Sequence, residues 1–321
     1  MHGGGSRPRG RPVSPRPRAD CTADRAGGLT FDVRLADQRA EEVRDAALLL
    51  RRRGGDDEHG DTVRLPLTPV AAEGPLRAAL PSTMSLPEGR WDASLLLGEA
   101  EPRRLLPGVH DLRSLVDRTP RSGRTWLGVR IPYATKYGNL TVRSWLRWPH
   151  AEAGELRVED DGMELSGRLY GARLSPTARL EAHPRCARAA ADGDVVAVPL
   201  ASAQERGQED GQGHEDADGA AFTAALPYAP LTRHPVWDLW LRPSAEACAV
   251  RIARILDDVP DKKRIFTYPP RDVTVTDGAD GTDGAGEPRT YALRPYYTLD
   301  NDLAVRAVAS VAVPEEGEEA V

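Results

Sequence analysis

The stretch RIARILDDVPDKKRIFTYPP, residues 251–270, joins an alternating apolar segment, an acidic turn, a basic triplet and a proline stop. In an extended chain Ile252, Arg254 and Leu256 point one way and Ala253, Ile255 and Asp257 the other, which we interpret as a half-buried strand. Residues 257–261 contain Pro260 and predict a turn, and residues 264–268 predict a second strand. The stretch therefore predicts a β-hairpin, and the open question is whether that hairpin is a catalytic element or a scaffold.

The remainder of the chain is built mostly from short apolar runs separated by Gly, Pro and Asp clusters. Residues 29–35 and 62–67 alternate as strands do, whereas residues 41–50 give only a weak helical pattern. Many short strands between turns are typical of the β-sandwich class. The fold class we predict is all-β, with two tandem immunoglobulin-like β-sandwich domains.

Three groups of residues recur in the same order along the chain, which predicts an internal duplication. The matched pairs are DTVRLPL at 61–67 with DVVAVPL at 194–200, AALP and Trp91-Asp92 with AALP and Trp237-Asp238, and PYATKYGNLTVR at 132–143 with PYYTLDNDLAVR at 295–306. The spacing from the AALP leucine to the tryptophan is the same in both copies. We expect each tryptophan to be a buried anchor, with its aspartate capping a turn or bonding backbone.

The extra length of the second copy falls in two polar segments, where loops accept insertions at little cost. The predicted organisation is a disordered Arg/Pro/Gly arm at 1–28, a first domain at 29–150, a second domain at 151–313 with polar inserts at 204–219 and 277–287, and an acidic tail at 314–321.

Composition excludes several classes of function. The net charge of -6 argues against a nucleic-acid-binding protein, and no apolar run is long enough for a membrane span. The basic start of the chain has no apolar core and is not a secretory signal. Three distant cysteines favour a reducing, cytoplasmic location. With no metal-ligand spacing, phosphate loop or nucleophile elbow, we expect no metal and no cofactor.

Two acidic motifs are weak catalytic candidates. Asp257 and Asp258 belong to a DDxxD segment, and Asp300 and Asp302 form a DxD motif of the kind that binds a metal and a sugar nucleotide in many glycosyltransferases. Pro260 opposes the helix that DDxxD chemistry needs, so a solvated turn is the favoured interpretation of the first motif. A turn before a strand is the favoured interpretation of the second.

Basic and aromatic residues are the candidate ligand-binding set, because arginine and lysine suit phosphate and exposed rings stack on sugars. The alternative is that the lysines protect strand edges and the rings belong to the core. The set consists of Lys136, Arg143, Trp145, Lys262, Lys263, Arg264 and Tyr268.

The segments IPYATKYGNLTVRSWLR, VWDLWLR, ARILDDVPDKKRIFTYP and PYYTLDNDLAVR resemble a group of actinobacterial proteins labelled as transferases. These occur beside or fused to glycosyltransferases and glycerophosphotransferases of cell-wall glycopolymers. The architecture is also similar to the immunoglobulin-like C-terminal modules of wall teichoic acid glycosyltransferases. The resemblance covers most of residues 60–310 and implies a role in making surface glycopolymers, but it supplies no catalytic motif.

Three hypotheses follow. The first is a non-catalytic protein that assists a glycosyl- or glycerophosphotransferase by binding substrate, an anionic glycopolymer or the partner enzyme. The second is a transferase in its own right, acting on a nucleotide-activated sugar or polyol. The third is a purely structural oligomerisation module. Within the hairpin, Lys262, Lys263 and Arg264 are the preferred binding residues, and the acidic turn reverses the chain.

Overall fold

The computed structural model describes residues 16–35, 45–55, 61–72, 74–116, 118–120, 126–185, 194–201, 219–276 and 287–310. Within these ranges the regular structure is β, apart from short 3-10 turns at Arg113–Leu115, Ala229–Arg233 and Lys262–Arg264, so the all-β prediction is confirmed. The strands are β1 Arg18–Ala23, β2 Leu29–Arg34, β3 Ala46–Arg52, β4 Thr62–Pro66, β5 Thr68–Pro69, β6 Leu76–Leu80, β7 Gly89–Leu97, β8 Arg103–Arg104, β9 Leu106–Asp111, β10 Leu127–Ala134, β11 Leu140–Arg147, β12 His150–Val158, β13 Gly162–Tyr170, β14 Arg179–Pro184, β15 Val196–Pro199, β16 Ala220–Pro227, β17 Val236–Arg242, β18 Val250–Ala253, β19 Arg271–Thr276, β20 Pro288–Tyr297 and β21 Leu303–Ala309.

The chain divides into two compact units. Unit 1 comprises Met1–Val116 and Gly128–Leu146, and unit 2 comprises Asp117–Leu127 and Arg147–Val321. In each unit some strands alternate buried and more exposed residues, as sheets packed on a core require; β2 and β6 do so in unit 1, and β16 and β17 in unit 2. β10 and β11 instead have runs of six buried residues.

Unit 1 has one sheet in the order β5-β6-β2-β1-β9 and a second in the order β10-β11-β7-β3-β4, with β8 also paired to β7. β8 and β9 are parts of one extended segment, interrupted at the buried Leu105. The first part pairs with β7 and the second runs parallel to β1, so this segment passes from one sheet to the other.

Unit 2 has a related arrangement, but its strands form one continuous ten-stranded sheet in the order β16-β13-β12-β18-β17-β21-β20-β19, with β14 also paired to β17 and β15 to β14. Strands β16, β13, β12 and β18 lie side by side, and β17 is flanked by β14 on one edge and by β18 and β21 on the other. In β18, Val250 and Arg251 pair with β17 whereas Ile252 and Ala253 pair with β12. The same kind of strand therefore links two groups of strands in each unit.

The strand registers of the two units correspond row by row. In unit 1 Trp91 lies between Arg52 and Val142, and in unit 2 Trp237 lies between Pro184 and Val305. One residue further on, Asp92 pairs with Thr141 and Asp238 pairs with Ala304. Two residues beyond that, Ser94 pairs with Arg104 and Trp240 pairs with Arg251. These pairings are the ones that a duplication aligned on the two Trp-Asp pairs requires. Trp91 and Trp237 are fully buried.

Several boundaries differ from the sequence prediction. The predicted arm, 1–28, is wrong where it is described, because Arg18–Ala23 form β1 and bury Ala19, Cys21 and Ala23. The weak helix at 41–50 is wrong from residue 46 onward, where β3 begins. The strands at 29–35 and 62–67 are confirmed by β2 and β4. The core of each polar insert and the acidic tail lie outside the described residues.

The predicted hairpin at 251–270 is only partly correct. The first strand exists but ends at Ala253. The prediction of a second strand at 264–268 is wrong. The chain forms a 3-10 turn at Lys262–Arg264, and the residues between that turn and β19 are not paired in a sheet. The physical reason is that Lys262 is completely buried, which folds the segment back against the unit.

Candidate functional site

In unit 1, the aspartate that follows the buried tryptophan binds two arginines. Arg53 Nη2 lies 2.6 Å from Asp92 Oδ1, and Arg104 Nη1 lies 2.6 Å from Asp92 Oδ2. Thr141 Oγ1 donates a third hydrogen bond to Asp92, at 3.0 Å. Burial acts to raise the pKa of Asp92, but the Arg53 hydrogen bond and the Arg104 charge outweigh it and hold the pKa below 3.8.

In unit 2, Asp238 has the same two partners at the corresponding positions. Arg185 Nε donates to Asp238 Oδ2 at 3.0 Å, and Arg251 Nη2 donates to Oδ1 at 2.6 Å. Arg251 also donates to the Leu239 carbonyl, as Arg104 does to the carbonyl of Ala93. Burial lowers the pKa of Arg251, although the neighbouring Asp238 charge acts to raise it. Because both units have this arrangement, it is best explained as scaffold that holds the strand linking their sheets.

Beside this scaffold, the outer face of β14 and β17 carries a buried carboxylate under a cover of cations. The Glu181 side chain is 3% exposed. Arg179 Nε donates to it at 2.8 Å, His183 Nε2 lies 2.9 Å from it, and Arg242 contacts both of its oxygens, at 2.5 and 3.0 Å. Burial alone would raise the pKa of Glu181, but the hydrogen bonds from Arg242 and His183 lower it to about 2.

Trp240 lies next to Glu181 on the same face, as its direct partner across the two strands. Its indole is partly exposed and stands between two cationic or ionisable groups. The His183 ring is 5.8 Å away and the Arg251 guanidinium is 5.3 Å from the indole centroid. An indole held in this way presents an edge of aromatic surface among arginines.

The face extends onto β20 and β21. Arg306 lies over the Tyr296 ring at 5.3 Å, and the Tyr296 hydroxyl is 3.5 Å from Arg185. Arg294 and Arg306 are exposed and directly opposite each other. Neither forms a salt bridge with any residue that the structure describes. Like charges in this position repel each other, so a bound anion would relieve the repulsion.

Unit 1 does not carry this chemistry at the corresponding rows. The row of Glu181 and Trp240 in unit 2 corresponds to Leu49 and Ser94 in unit 1. The row of Arg179 and Arg242 corresponds to Ala47 and Leu96. We name the face of unit 2 formed by Arg179, Glu181, His183, Arg185, Asp238, Trp240, Arg242, Arg251, Arg294, Tyr296 and Arg306 the arginine face.

We expect Glu181→Gln to remove stability in a pH-dependent way. The folded-state pKa is near 2 and the ordinary value is 4.5, so the stabilisation is full above pH 4.5 and is lost as the pH falls toward 2. Glu181→Gln should therefore cost on the order of 2–3 kcal/mol near neutral pH and progressively less below pH 4.5. Denaturant unfolding across this pH range measures the difference.

Glu246→Gln is the control for this measurement, because Glu246 is an exposed glutamate of the same unit. It should leave the free energy of unfolding nearly unchanged at every pH. A Glu181→Gln cost that is independent of pH would contradict the role of the carboxylate charge.

The ligand-binding candidates that lie in unit 1 do not form one surface. Lys136 is exposed, and its ammonium lies 4.8 Å from the exposed Tyr137 ring. Trp145 is fully buried, and Arg143 is 6% exposed and lies over its ring at 4.9 Å. Arg143 and Trp145 therefore belong to the interior of unit 1.

The candidates around the basic triplet divide in a similar way. Lys262 is fully buried, where it pairs with Asp257 and donates to the Val259 carbonyl at 2.6 Å. Burial lowers the pKa of Lys262, and Asp257 partly compensates. Lys263 and Arg264 are exposed, and Tyr268 is partly buried with its pKa raised by that burial.

The acidic candidates do not converge on a common point either. Asp302 pairs with Arg147 at 2.7 Å and lies 3.8 Å from Arg251, as part of the scaffold of unit 2. Asp258 is partly buried and Asp300 is exposed in the turn before β21. In the part of the chain that the structure describes, no group of three His, Cys, Asp or Glu residues could hold a metal ion. Among the same residues, no helix is long and apolar enough to cross a membrane.

Sequence reasoning did not identify the arginine face, although VWDLWLR contains part of it. Alternation in that segment puts Asp238, Trp240 and Arg242 on one side and the core residues Trp237 and Leu239 on the other. Glu181 and His183 come from β14, and only the long-range pairing of β14 with β17 brings them there.

Comparison with known proteins gives no family. No protein family matches the chain, and no curated protein matches it. Among solved structures it is similar to S. aureus TarS, with a TM-score of 0.34 and 14% identity over 60% of this chain and 31% of TarS. A shorter TarS chain, 217-571, gives a TM-score of 0.33 and 14% identity over 60% of this chain and 48% of that one. The matched region therefore spans less than half of either TarS chain, and at these values the likeness assigns no activity.

Proposed function

We propose that the chain is a duplicated, non-catalytic β-sandwich protein whose second unit binds an anionic glycopolymer through the arginine face. In this role it assists a glycosyl- or glycerophosphotransferase of surface-polymer synthesis. The observation that carries the proposal is the partly exposed Trp240 among arginines on one sheet face. Arginine binds phosphate oxygens in a bidentate way, and an indole stacks on the apolar face of a sugar.

The balance of charge on the face supports an anionic ligand. Its carboxylates, Glu181 and Asp238, are each held by at least two arginines within the protein. Arg294 and Arg306 lie at the margin of the face without such a partner among the described residues. The sequence resemblance to proteins of cell-wall glycopolymer synthesis supports a polymer of sugar or polyol phosphates as the ligand class.

Two of the four acidic residues proposed for a transferase are held in ion pairs within the protein. Asp257 neutralises the buried Lys262, and Asp302 joins Arg147 and Arg251. Turnover of a sugar nucleotide or CDP-glycerol by the purified chain, abolished by Asp302→Ala, would establish the transferase alternative. A sedimentation mass above that of the monomer, with no polymer binding, would favour the oligomerisation module.

We expect the double variant Arg294→Ser/Arg306→Ser to bind poly(glycerol phosphate) about tenfold or more weakly than the unaltered chain. The reason is that it removes the two margin cations without touching the buried carboxylates. Titration calorimetry at low ionic strength measures the affinity, because such contacts weaken as salt is added. The single substitution Trp240→Ala should also weaken binding, because it removes the stacking surface.

The matched control is Lys263→Ser/Arg264→Ser, which also removes two exposed positive charges from unit 2. It should leave the affinity almost unchanged. Equal losses in the two double variants would show a nonspecific charge effect, and a loss confined to Lys263 and Arg264 would move the binding surface to the basic triplet.

A further inference from the structure

Unit 2 has an open groove on the outer face of β12, β13 and β16, away from the strands that carry the arginine face. Its volume is about 320 Å³, near the lower end of the range for small-molecule sites. The residues that line the groove include Glu152, Gly154, Ser166, Arg168, Tyr170 and Thr223. A groove of this size has room for one small ring but not for a nucleotide sugar.

The groove exists because small residues replace the ion pairs that cover the corresponding face of unit 1. In unit 1, Arg77 pairs with Asp32 through two hydrogen bonds, at 2.7 and 2.9 Å. Aligned on the shared AALP segment, the Asp32–Arg77 row corresponds to the row of Ser166 and Thr223 in unit 2. A bidentate carboxylate–guanidinium pair is thus replaced by two hydroxyl side chains.

A second ion pair of unit 1 is missing in the same place. Arg34 donates to Asp20 at 2.9 Å, and Asp20 follows Ala19. In unit 2, Gly154 follows the corresponding Ala153, at an irregularity in the pairing of β12 with β13. Four charged residues fill this face in unit 1: Asp20, Asp32, Arg34 and Arg77. Only the position equivalent to Arg34 is also charged in unit 2, where it is Arg168.

The floor of the groove contains two glycines, Gly167 packed on the buried Phe222 ring and Gly154 beside Ser166. A Cβ at Gly167 would lie 2.5 Å from Phe222 Cζ and 2.5 Å from the Glu152 carbonyl oxygen. A Cβ at Gly154 would lie 3.2 Å from the Ser166 carbonyl oxygen. Any side chain at Gly167 would therefore displace its neighbours, and one at Gly154 would crowd the groove.

The polar groups of the groove fit a ligand with many hydroxyls. Arg168 supplies N–H donors, one of which also donates to the Gly219 carbonyl at 3.4 Å. Ser166 Oγ accepts the Glu155 N–H at 3.1 Å and donates to the Glu155 carbonyl at 3.3 Å, so towards a ligand it keeps acceptor capacity only. Tyr170 and Thr223 supply hydroxyls that can both donate and accept. The Glu152 carboxylate is turned away from this role, because it accepts the backbone N–H groups of Ile255 and Leu256 and lies 2.7 Å from His150 Nε2. The groove thus offers one cation and several hydroxyls to its contents.

From this combination we infer that the groove is a binding site for a single sugar ring. Mixed donors and acceptors around a shallow floor match the alternating hydroxyls of a pyranose, and a single arginine is a weak site for a multiply charged phosphate chain. The inference does not depend on the arginine face, since the two surfaces share no residue. It assigns to unit 2 a function that unit 1, with its ion pairs in place, lacks.

The test rebuilds the ion pair of unit 1 inside the groove, in the double variant Ser166→Asp/Thr223→Arg. The probes are methyl α-D-glucoside and N-acetyl-D-glucosamine, and the readout is saturation-transfer NMR from protein to sugar in the millimolar range expected for small ligands. We expect transfer from the unaltered chain and its loss in the double variant. Thr223→Val, which removes only a hydroxyl, should weaken binding without blocking the groove.

The matched control is Asp32→Ser/Arg77→Thr, which removes one ion pair from unit 1 but leaves the Arg34–Asp20 pair across the same face, and should leave sugar binding to unit 2 intact. Circular dichroism establishes that each variant is folded. Absence of transfer from the unaltered chain to either sugar would overturn the inference. It would also be overturned by undiminished binding in folded Ser166→Asp/Thr223→Arg and Thr223→Val, or by binding of inorganic phosphate in place of sugar.

Discussion

Trp237→Ala is expected to destabilise unit 2 by about 3–5 kcal/mol, among the larger effects of any single substitution in a core. Trp237 is fully buried, and its Nε1 donates to the carbonyls of Leu231 and His234, at 2.7 and 3.0 Å. Truncation leaves a cavity and removes the donor that joins β17 to the 3-10 turn before it. The Leu231 and His234 carbonyls then lose the hydrogen bond from the indole.

Chemical denaturation followed by far-UV circular dichroism measures this loss. Because the chain has two compact units, unfolding need not be two-state, and the transition of unit 2 is the one that should move. Trp91→Ala is the matched variant in unit 1, where Trp91 is equally buried and donates to the Pro87 carbonyl at 3.0 Å. It should shift the other transition.

Trp240→Ala provides the contrast within the same strand. Its side chain is partly exposed on the outer face, so we expect a much smaller loss of stability than for Trp237→Ala. A comparable loss for both tryptophans would contradict the distinction between core anchor and surface platform.

The sequence was sufficient for the parts of the fold that depend on local patterns and on repeated segments. The recurrence of Trp-Asp and of the AALP segment aligns rows that the structure pairs in the same way, and strand alternation identifies β2 and β4. It failed for β1, where the Arg/Pro/Gly content of the preceding residues hid the alternation of Ala19 and Cys21.

The two proposed surfaces were harder to predict because they depend on contacts between distant segments. Glu181 reaches Trp240 only through the pairing of β14 with β17. The groove exists because Ser166 and Thr223 are smaller than Asp32 and Arg77 at the equivalent positions of unit 1. The sequences of β2 and β13 are too different to show that these positions are equivalent. Composition does not report which rows of a sheet hold small residues.

The prediction of a hairpin at 251–270 failed for a different physical reason, which is the burial of Lys262. Its alternation and basic triplet are typical of a surface hairpin, but Lys262 is 0% exposed and its ammonium is held by Asp257 and the Val259 carbonyl. The Lys262 amide also donates to Asn301, at 3.1 Å. Asn301 is itself buried and has a left-handed backbone with φ of 61°. The acidic turn is therefore the counter-ion of a buried cation, in addition to reversing the chain.

Asp257→Ala is accordingly expected to cost about 3–5 kcal/mol, because it leaves the Lys262 ammonium buried without its counter-ion. The double variant Asp257→Ala/Lys262→Met should recover most of that loss, since an apolar side chain of similar length needs no partner. Denaturant unfolding of the two single variants and the double variant gives the coupling energy. Asp258→Ala is the adjacent control and should cost much less.

The pH dependence separates an unpaired charge from a simple packing defect. Burial lowers the pKa of Lys262 in the folded state, and removal of Asp257 should lower it further, while the unfolded chain keeps the ordinary value near 10.5. Between these two values the unfolded state binds more protons, so the stability of Asp257→Ala should rise with pH and approach that of the double variant. If the cost of Asp257→Ala is instead the same from neutral pH to pH 10, and Lys262→Met does not relieve it, the buried ion pair is not what stabilises this segment.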